Sequence, residues 1–184
     1  MKKEIEPSKA NRLLNIGGVV LVSAKFKERD NLTPVAWNVP VSKEPPLVAV
    51  AIAPERFIYE LIEKSGEFGV NLPTLKILKE VYFCGKNSGK EIDKFKATKL
   101  KRLKAKFISA PLVDDCIANL ECKVEKIYPA GDHNLIIGRV LRAIVEENLF
   151  DERLKVELEE ARTVHHLGGK FFTVPGEVID VEGL

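Results

Sequence analysis

The segment Asn31–Pro46, NLTPVAWNVPVSKEPP, constrains the fold more than any other stretch of the chain. It holds the only tryptophan, Trp37, between Pro34 and Pro40. Proline lacks the amide proton that a sheet ladder needs, so these prolines limit regular pairing around Ala36–Asn38. The sequence therefore predicts an edge or bulged strand with free backbone groups, open to a planar polar ligand. These residues alone leave open the alternative of a loop anchored by one buried tryptophan.

The composition is that of one globular domain spanning residues 1–184. The net charge of +2 is the small remainder of many opposite charges, so no nucleic-acid partner is indicated. The apolar run Ile16–Ala24 is about half of the ~20 residues that a spanning helix needs. No cleavable leader is recognisable, and we therefore expect a cytoplasmic protein that makes no use of a membrane.

Most of the regular structure predicted by the pattern is β-strand. Gly18–Phe26 and Leu47–Ala53 are rich in β-branched residues and read as buried strands, and Phe68–Leu72 reads as a short one. Cys116–Lys126 alternates between apolar and polar residues, and the apolar run after His133 returns beside it as a hairpin. Gly138, within that run, indicates a bulge or a close backbone approach.

Helices are predicted to be few and short. Glu55–Ser65 has one apolar helical face and Gly66 as its C-cap, and Thr74 can cap a second helix over Leu75–Phe83, which stops at Cys84-Gly85. The basic segment Lys86–Lys106 is predicted to be mostly a solvated loop. Without regular βαβ alternation or a GxGxxG motif, a closed antiparallel barrel with short helices fits better than a Rossmann fold.

Three kinds of site are disfavoured by the motifs. No GxSxG sequence marks a serine nucleophile, and the GKNSGK sequence lacks the spacing of a phosphate-binding P-loop. Of the three histidines, His165 and His166 are adjacent, and neighbours on a strand point to opposite faces. They cannot easily join His133 around one ion, so we predict no metal site.

The remaining polar and aromatic candidates suit a ligand with a flat hydrogen-bonding ring and a phosphate. Arg56 stands at the predicted start of a helix, where an anion is favoured, although a solvated arginine paired with Glu60 is the alternative. Lys94 beside Phe95 could hold a phosphate or simply pack on the surface.

Five segments in order carry a resemblance to a known family: NxxxxxWNxxPVSxEPPLVAVAI, PERF, EFGVNLP, CGKNSGKEIDKF and AGDHNLIIGRV. Together they resemble the flavin reductase-like, FMN-binding split-barrel family, which includes flavoredoxins and ferric reductases. The resemblance covers residues 15 to about 172. It implies a mainly β protein with short helices, a six-stranded Greek-key split β-barrel that forms a homodimer and binds FMN near the subunit interface.

Carried over residue by residue, the resemblance implies an FMN site with a ring end and a phosphate end. The ring would lie beside the following residues: Asn31, Trp37, the backbone around Asn38, Ser42, Ala53, and His165 or His166. The phosphate would meet a second group: Arg56, Lys94, Ser88 and His133.

Two further positions, Ile58 and Cys84, are left out of the predicted site. Relatives usually carry threonine or serine two residues after the arginine, where this chain has Ile58, so we leave Ile58 out of the site. Cys84 precedes Gly85 as in many relatives, but a free cysteine at a helix end is more often buried packing.

The implied activity is an NAD(P)H-dependent flavin or ferric-chelate reductase. Flavin would carry the redox chemistry and pass electrons to an acceptor, so no catalytic side chain is assigned. The alternative is a flavoredoxin-type electron carrier that works only between protein partners. A nucleic-acid-binding module built on Lys86–Lys106 is a weaker alternative, because Glu91 and Asp93 interrupt its positive charge.

Overall fold

The computed structural model describes residue 4, residues 6–14 and residues 16–181. Its strands are β1 Val20–Phe26, β2 Arg29–Val35, β3 Asn38–Ser42, β4 Leu47–Ile52, β5 Glu67–Leu72, β6 Arg102–Leu103, β7 Leu112–Val113, β8 Ala118–Ala130, β9 His133–Val145, β10 His165–Gly168 and β11 Phe171–Thr173. The α-helices are α1 Asn11–Leu14, α2 Phe57–Ser65, α3 Leu78–Lys86 and α4 Lys94–Thr98. Short 3-10 helices cover Pro7–Lys9, Leu75–Ile77, Glu147–Leu149 and Glu159–Ala161.

Seven strands form one antiparallel sheet in the order β2-β1-β5-β8-β9-β4-β3. The two edge strands, β2 and β3, are consecutive in the chain and separated only by Ala36 and Trp37. At this bend the amide of Ala51 donates to the Trp37 carbonyl at 2.9 Å. One bent segment thus links both edges of the sheet. The sheet has seven strands instead of the expected six because the bend interrupts the ladder and divides this segment into β2 and β3.

The proline-rich segment behaves as its composition predicts. Pro34 in the outer strand β2 pairs with Leu21, and the other side of β2 makes no ladder with any described strand. In β3 the pairing register shifts between Pro40 and Ser42, which marks a bulge. The prediction of an edge or bulged segment is therefore confirmed.

Helix α2 packs on the barrel through its apolar face, and Ile58 and Ile62 are fully buried there. Its C-cap is Gly66, with φ of 71°, whose amide donates to the Ile62 carbonyl at 2.8 Å. This left-handed conformation suits glycine, as predicted. Helices α3 and α4 pack on β2 around a second cluster that includes Val81 and Phe95. All three helices contact β2.

The β8–β9 hairpin turns through Gly131, whose φ is 67°, and Asp132. Within β9, Gly138 faces the ring of Phe68, and a Cβ atom there would lie less than 3.0 Å from the ring. The opposing strand β8 shifts register between Val124 and Lys126. Both predicted features, close backbone approach and local irregularity, are confirmed at Gly138.

Two local predictions differ from the structure. Thr74 makes no side-chain cap; a 3-10 turn follows it, and α3 runs on through Gly85 to Lys86. The basic segment is also not merely a solvated loop, because it contains α4, which begins where Asp93 accepts a hydrogen bond from the Lys96 amide at 3.0 Å. Across the described ranges, no helix is long and apolar enough to cross a membrane.

Candidate functional site

An open cavity of about 520 Å³ lies along β2, between the start of α2, the end of α3 and the turn that follows α3. Most of the residues selected from the sequence line it: Asn31, Trp37, Ala53, Arg56, Ser88, Lys94, His133 and His166. Their convergence from distant parts of the chain makes this cavity the candidate site.

The cavity is elongated along the strand that forms its wall. Asn31 and Val35 are four residues apart in β2, a separation of roughly 13 Å at ~3.3 Å per residue, and Trp37 lies beyond Val35 at the bend. Asn31 lies against Gly89, so it marks the end of the cavity near Ser88. Trp37 lies against His133 and marks the other end. The resemblance implied that Asn31 lies with Trp37 at the ring end and His133 at the phosphate end. The structure instead places Asn31 beside Gly89 and His133 beside Trp37.

At the Trp37 end, the ring centroids of Trp37 and His133 are 4.7 Å apart with an interplanar angle of 46°. The orientation of the imidazole is fixed by Asp132, whose Oδ1 lies 2.8 Å from His133 Nδ1. Trp37 is 40% exposed, which does not fit the alternative of a buried tryptophan anchoring a loop. This end presents an aromatic pair and the backbone of Ala51, Ile52 and Ala53.

At the Asn31 end, a buried acceptor has no partner within the described chain. Asn31 is 3% exposed, and its Oδ1 atom accepts no hydrogen bond. A Cβ atom on Gly89 would lie less than 3.0 Å from the Asn31 amide, so the glycine lets the turn close over this side chain. Buried polar atoms are nearly always satisfied. An unpaired acceptor in a cavity wall therefore suits a ligand that brings a donor.

Arg29 holds the turn around Gly89 in place. Its Nη2 atom donates to the carbonyls of Gly89 and Lys90 at 3.2 and 3.3 Å. Its guanidinium also lies 4.4 Å from the ring centroid of Phe57, at the start of α2. No local pattern in the sequence indicates this role, because Arg29 meets these partners only in the folded chain.

Arg56 supplies an exposed cation at the start of α2. It is the N-cap residue, its side chain is 64% exposed, and its Nε atom is 4.0 Å from a Glu55 carboxylate oxygen. The Tyr59 amide donates to the Arg56 carbonyl at 2.9 Å, and the amides before it, at the open end of the helix, favour an anion. Arg56 pairs loosely with its neighbour and not with Glu60, which instead accepts from Lys64 at 2.7 Å.

Lys94 is buried, contrary to the prediction of a lysine in a solvated loop. It is 4% exposed, and Nζ donates to the carbonyls of Leu32 and Cys84, both at 2.7 Å, and to Thr33 Oγ1 at 3.4 Å. The main-chain carbonyls replace water around the charge, which makes its burial tolerable. Burial nevertheless lowers the pKa of Lys94 to about 8. Its ammonium borders the cavity but is largely committed to the protein.

Cys84 and Ile58 have mainly packing roles. Cys84 reaches the cavity wall but is 1% exposed, and burial raises the pKa of its thiol to about 11. Ile58 is fully buried in the core and does not line the cavity. Tyr59, the next residue, donates to Glu63 at 2.9 Å and also lies outside the wall.

Three of the residues selected from the sequence lie outside the cavity lining. Asn38 uses its Nδ2 atom to donate to the carbonyls of Gly18 and Val35, at 2.7 and 3.0 Å, and so fixes the bend beside Trp37. Ser42 lies at the far end of β3, beyond the bulge. His165 bonds to the Ile16 carbonyl at 2.7 Å, whereas His166 reaches the cavity. The two adjacent histidines thus have separate partners.

Several lining residues were not selected from the sequence: Asn11, Arg12, Thr33 and Lys86. Asn11 and Arg12 belong to the short helix α1, whose docking no local pattern indicates. Lys86 joins the wall because α3 continues past Gly85. Thr33 could have been found, since it lies two residues from Asn31 and therefore faces the same side of β2.

Comparison with known proteins identifies the family of this chain. The model of the flavin reductase like domain matches residues 14–182. The chain belongs to the flavin reductase like family. Membership confirms the resemblance seen in the sequence and, with the sheet described above, the split-barrel class.

Three similar proteins illustrate the match. An uncharacterized protein from Archaeoglobus fulgidus is 35% identical over 79% of this chain and 81% of its own length. An NADH-dependent FMN reductase, AsuE2, from Streptomyces nodosus subsp. asukaensis is 28% identical over 82% of this chain and 75% of its own. The crystal structure of an FMN-binding domain from Shewanella baltica superimposes with a TM-score of 0.81 at 28% identity, covering 96% of this chain and 95% of that one.

Proposed function

We propose that this flavin reductase-like protein binds FMN in the 520 Å³ cavity and acts as an NAD(P)H-dependent flavin or ferric-chelate reductase. Family membership supports oxidoreductase chemistry in general. The Shewanella baltica domain, which is FMN-binding, and the Streptomyces relative, named as an NADH-dependent FMN reductase, support the cofactor and the donor.

The observation that carries the proposal is the division of one elongated cavity into two chemically different ends. FMN has a flat ring system and a phosphate joined by a hydroxylated chain. Trp37 and His133 offer aromatic surface at one end, and Arg56 offers a cation at a helix start. The unpaired Oδ1 of Asn31 offers an acceptor for a ligand N–H or O–H group.

Each part of the chain then has a distinct task in holding the cofactor. Arg56 and the first amides of α2 bind the phosphate, with Ser88 beside them. Lys94 adds positive potential to that end while its ammonium stays bonded to carbonyls. The main chain around Ala53 and the Trp37 side chain flank the ring.

The residues outside the lining act indirectly. Asn38 holds the bend that presents Trp37, and His165 holds the C-terminal segment that presents His166. Ser42 has no such link in the structure, and its place near the ring stays a prediction. The homodimer, with FMN near its interface, and the cytoplasmic location also stay predictions.

FMN held by these residues would supply hydride- and electron-transfer chemistry. The chain binds and orients: His133 is held at Nδ1 by Asp132, and Trp37 shapes the access to the ring end. Cys84 stays a thiol at neutral pH because its pKa is raised, so it is assigned no chemical step.

The test has two stages. The purified protein is mixed with FMN, freed of excess ligand and examined by visible absorbance; about one retained FMN per chain is expected. NADH and NADPH consumption is then followed with free FMN or ferric citrate as acceptor. Steady turnover supports a reductase. Retained FMN with no turnover would instead indicate an electron carrier, and neither retention nor turnover would contradict the proposal.

A further inference from the structure

A second cavity, of about 240 Å³, lies beside the first. The two cavities share part of their walls: Pro34, Ala36, Gly85, Lys86 and His166. Gly85 allows the end of α3 to approach β2, since a Cβ atom there would lie 3.0 Å from Pro34 Cγ. A molecule in the second cavity would therefore lie next to one in the first.

The second cavity has walls suited to an aromatic ring. Phe172 lies between two other rings, with its centroid 6.3 Å from Tyr82 at an angle of 85° and 5.0 Å from His166 at 46°. Val19 and Val81 add buried apolar surface. Edge-to-face and tilted arrangements of this kind are the ones that aromatic rings prefer, and a further ring can join them.

The described wall of the second cavity carries positive charge and no negative charge. Lys86 is the one formally charged side chain among its described lining residues, and no carboxylate stands in the wall. The Lys86 ammonium lies 5.7 Å from the Tyr82 ring centroid, at the boundary between the two cavities. The wall thus combines stacked rings with a cation at the rim.

We propose that the second cavity binds a small aromatic anion, a single ring carrying a carboxylate. An apolar cavity of ~150 Å³ suffices for benzene, so 240 Å³ accommodates one substituted ring. The carboxylate lies at Lys86 and the ring against Phe172. The inference concerns a site beside the FMN cavity and does not need FMN to be bound.

The test uses benzoate as the probe and FMN-free protein as the target. Benzoate is titrated while amide NMR signals are followed, and saturable shifts are expected at Val81, Gly85 and Gly169. Phe172→Leu should raise the Kd about 5- to 10-fold through lost ring contacts. Lys86→Gln should raise the Kd for benzoate by a similar factor and leave that for neutral benzamide unchanged.

The neighbouring residues provide matched controls. Phe171 is 63% exposed and, like Lys170, does not line the cavity, so Phe171→Leu and Lys170→Gln should leave benzoate binding unchanged. If Phe172→Leu fails to fold, Tyr82→Leu takes its place, since Tyr82 is 36% exposed.

Three results would overturn the inference: no saturable shifts, shifts centred on Trp37 and His133, or equal Kd values in Phe172→Leu and Phe171→Leu. Because FMN retention is measured separately by absorbance, failure of the benzoate site and failure of the FMN site are distinguished.

Discussion

The Lys94 ammonium donates a hydrogen bond to the Cys84 carbonyl at 2.7 Å, which ties helix α4 to the last turns of α3. A second bond of 2.7 Å, to the Leu32 carbonyl, ties both helices to β2. The positive charge that the sequence suggested for a ligand is thus also a cross-link between three elements of the protein.

Lys94→Ala is expected to lower the free energy of unfolding by about 3 kcal/mol. The substitution leaves two buried carbonyls without their donor and removes a buried aliphatic stem. Urea unfolding measures the loss. Lys96→Ala, an exposed position on the same helix, is the control and should change stability by less than ~0.5 kcal/mol. Equal midpoints for the two variants would show that the cross-link contributes nothing.

The stability of the wild type should rise with pH relative to Lys94→Met. The folded pKa of Lys94 is about 8, below its usual 10.5, so between these values the unfolded chain holds a proton that the folded chain has released. Stability therefore increases with pH in this window, by up to ~1.4 kcal/mol per pH unit.

Urea unfolding of both proteins between pH 7.5 and 9.5 measures this dependence. Raised thiol pKa values act in the opposite direction; those of Cys116 and Cys122 affect both proteins equally, so the difference between the proteins removes their effect. Cys84 interacts electrostatically with Lys94, so both proteins carry Cys84→Ala in this measurement. The assignment would be contradicted if the unfolding free energy of the wild type, minus that of Lys94→Met, stayed constant or fell as the pH rose.

Arg56→Gln should raise the Kd for FMN about 10-fold and leave the urea midpoint nearly unchanged. Charge-assisted bonds to phosphate are strong, whereas this side chain is 64% exposed and contributes little packing. Fluorescence titration with FMN measures the Kd. Lys64→Gln removes a cation from the other end of α2 and should bind FMN like the wild type. If both variants bound FMN with similar Kd values, Arg56 would not be the phosphate-binding residue.

Gly89→Ala should weaken FMN binding about 10-fold, because the added methyl group would displace the Asn31 amide or the turn above it. The control is Gly176→Ala, where a Cβ atom meets nothing within 4 Å. The same titration measures both. Unchanged affinity in Gly89→Ala would mean that the position of Asn31 is not important for binding.

The sequence predicts the parts of this protein that depend on local pattern. Alternation and β-branched composition indicate the strands, the 3.6-residue period indicates α2, and the prolines indicate the irregular edge. The buried state of Lys94 could not be predicted in this way. Its acceptor at Leu32 lies 62 residues away in the chain, and a run of lysines looks solvated until such carbonyls are brought to it.

The two histidines show the same limit within the candidate site. Strand alternation predicts that His165 and His166 point to opposite faces, and in the structure only His166 lines the cavity. Which histidine meets the cavity depends on how the C-terminal segment docks. That docking rests on non-local contacts such as the bond from His165 to Ile16. Arg12 and Lys86 join the site for similar reasons.

The bend at Ala36 and Trp37 joins the two edge strands, β2 and β3, and also lines the cavity. The seam of the barrel, where these two edges meet, is therefore also part of the cavity wall. A molecule that binds against Trp37 therefore stabilises the closed barrel, because the molecule must dissociate before the two sheet edges can separate. The Ala51 amide, bonded to the Trp37 carbonyl, lies where the seam would part. Its exchange with solvent deuterium should slow as the cavity fills, so the backbone itself reports how fully the protein is loaded.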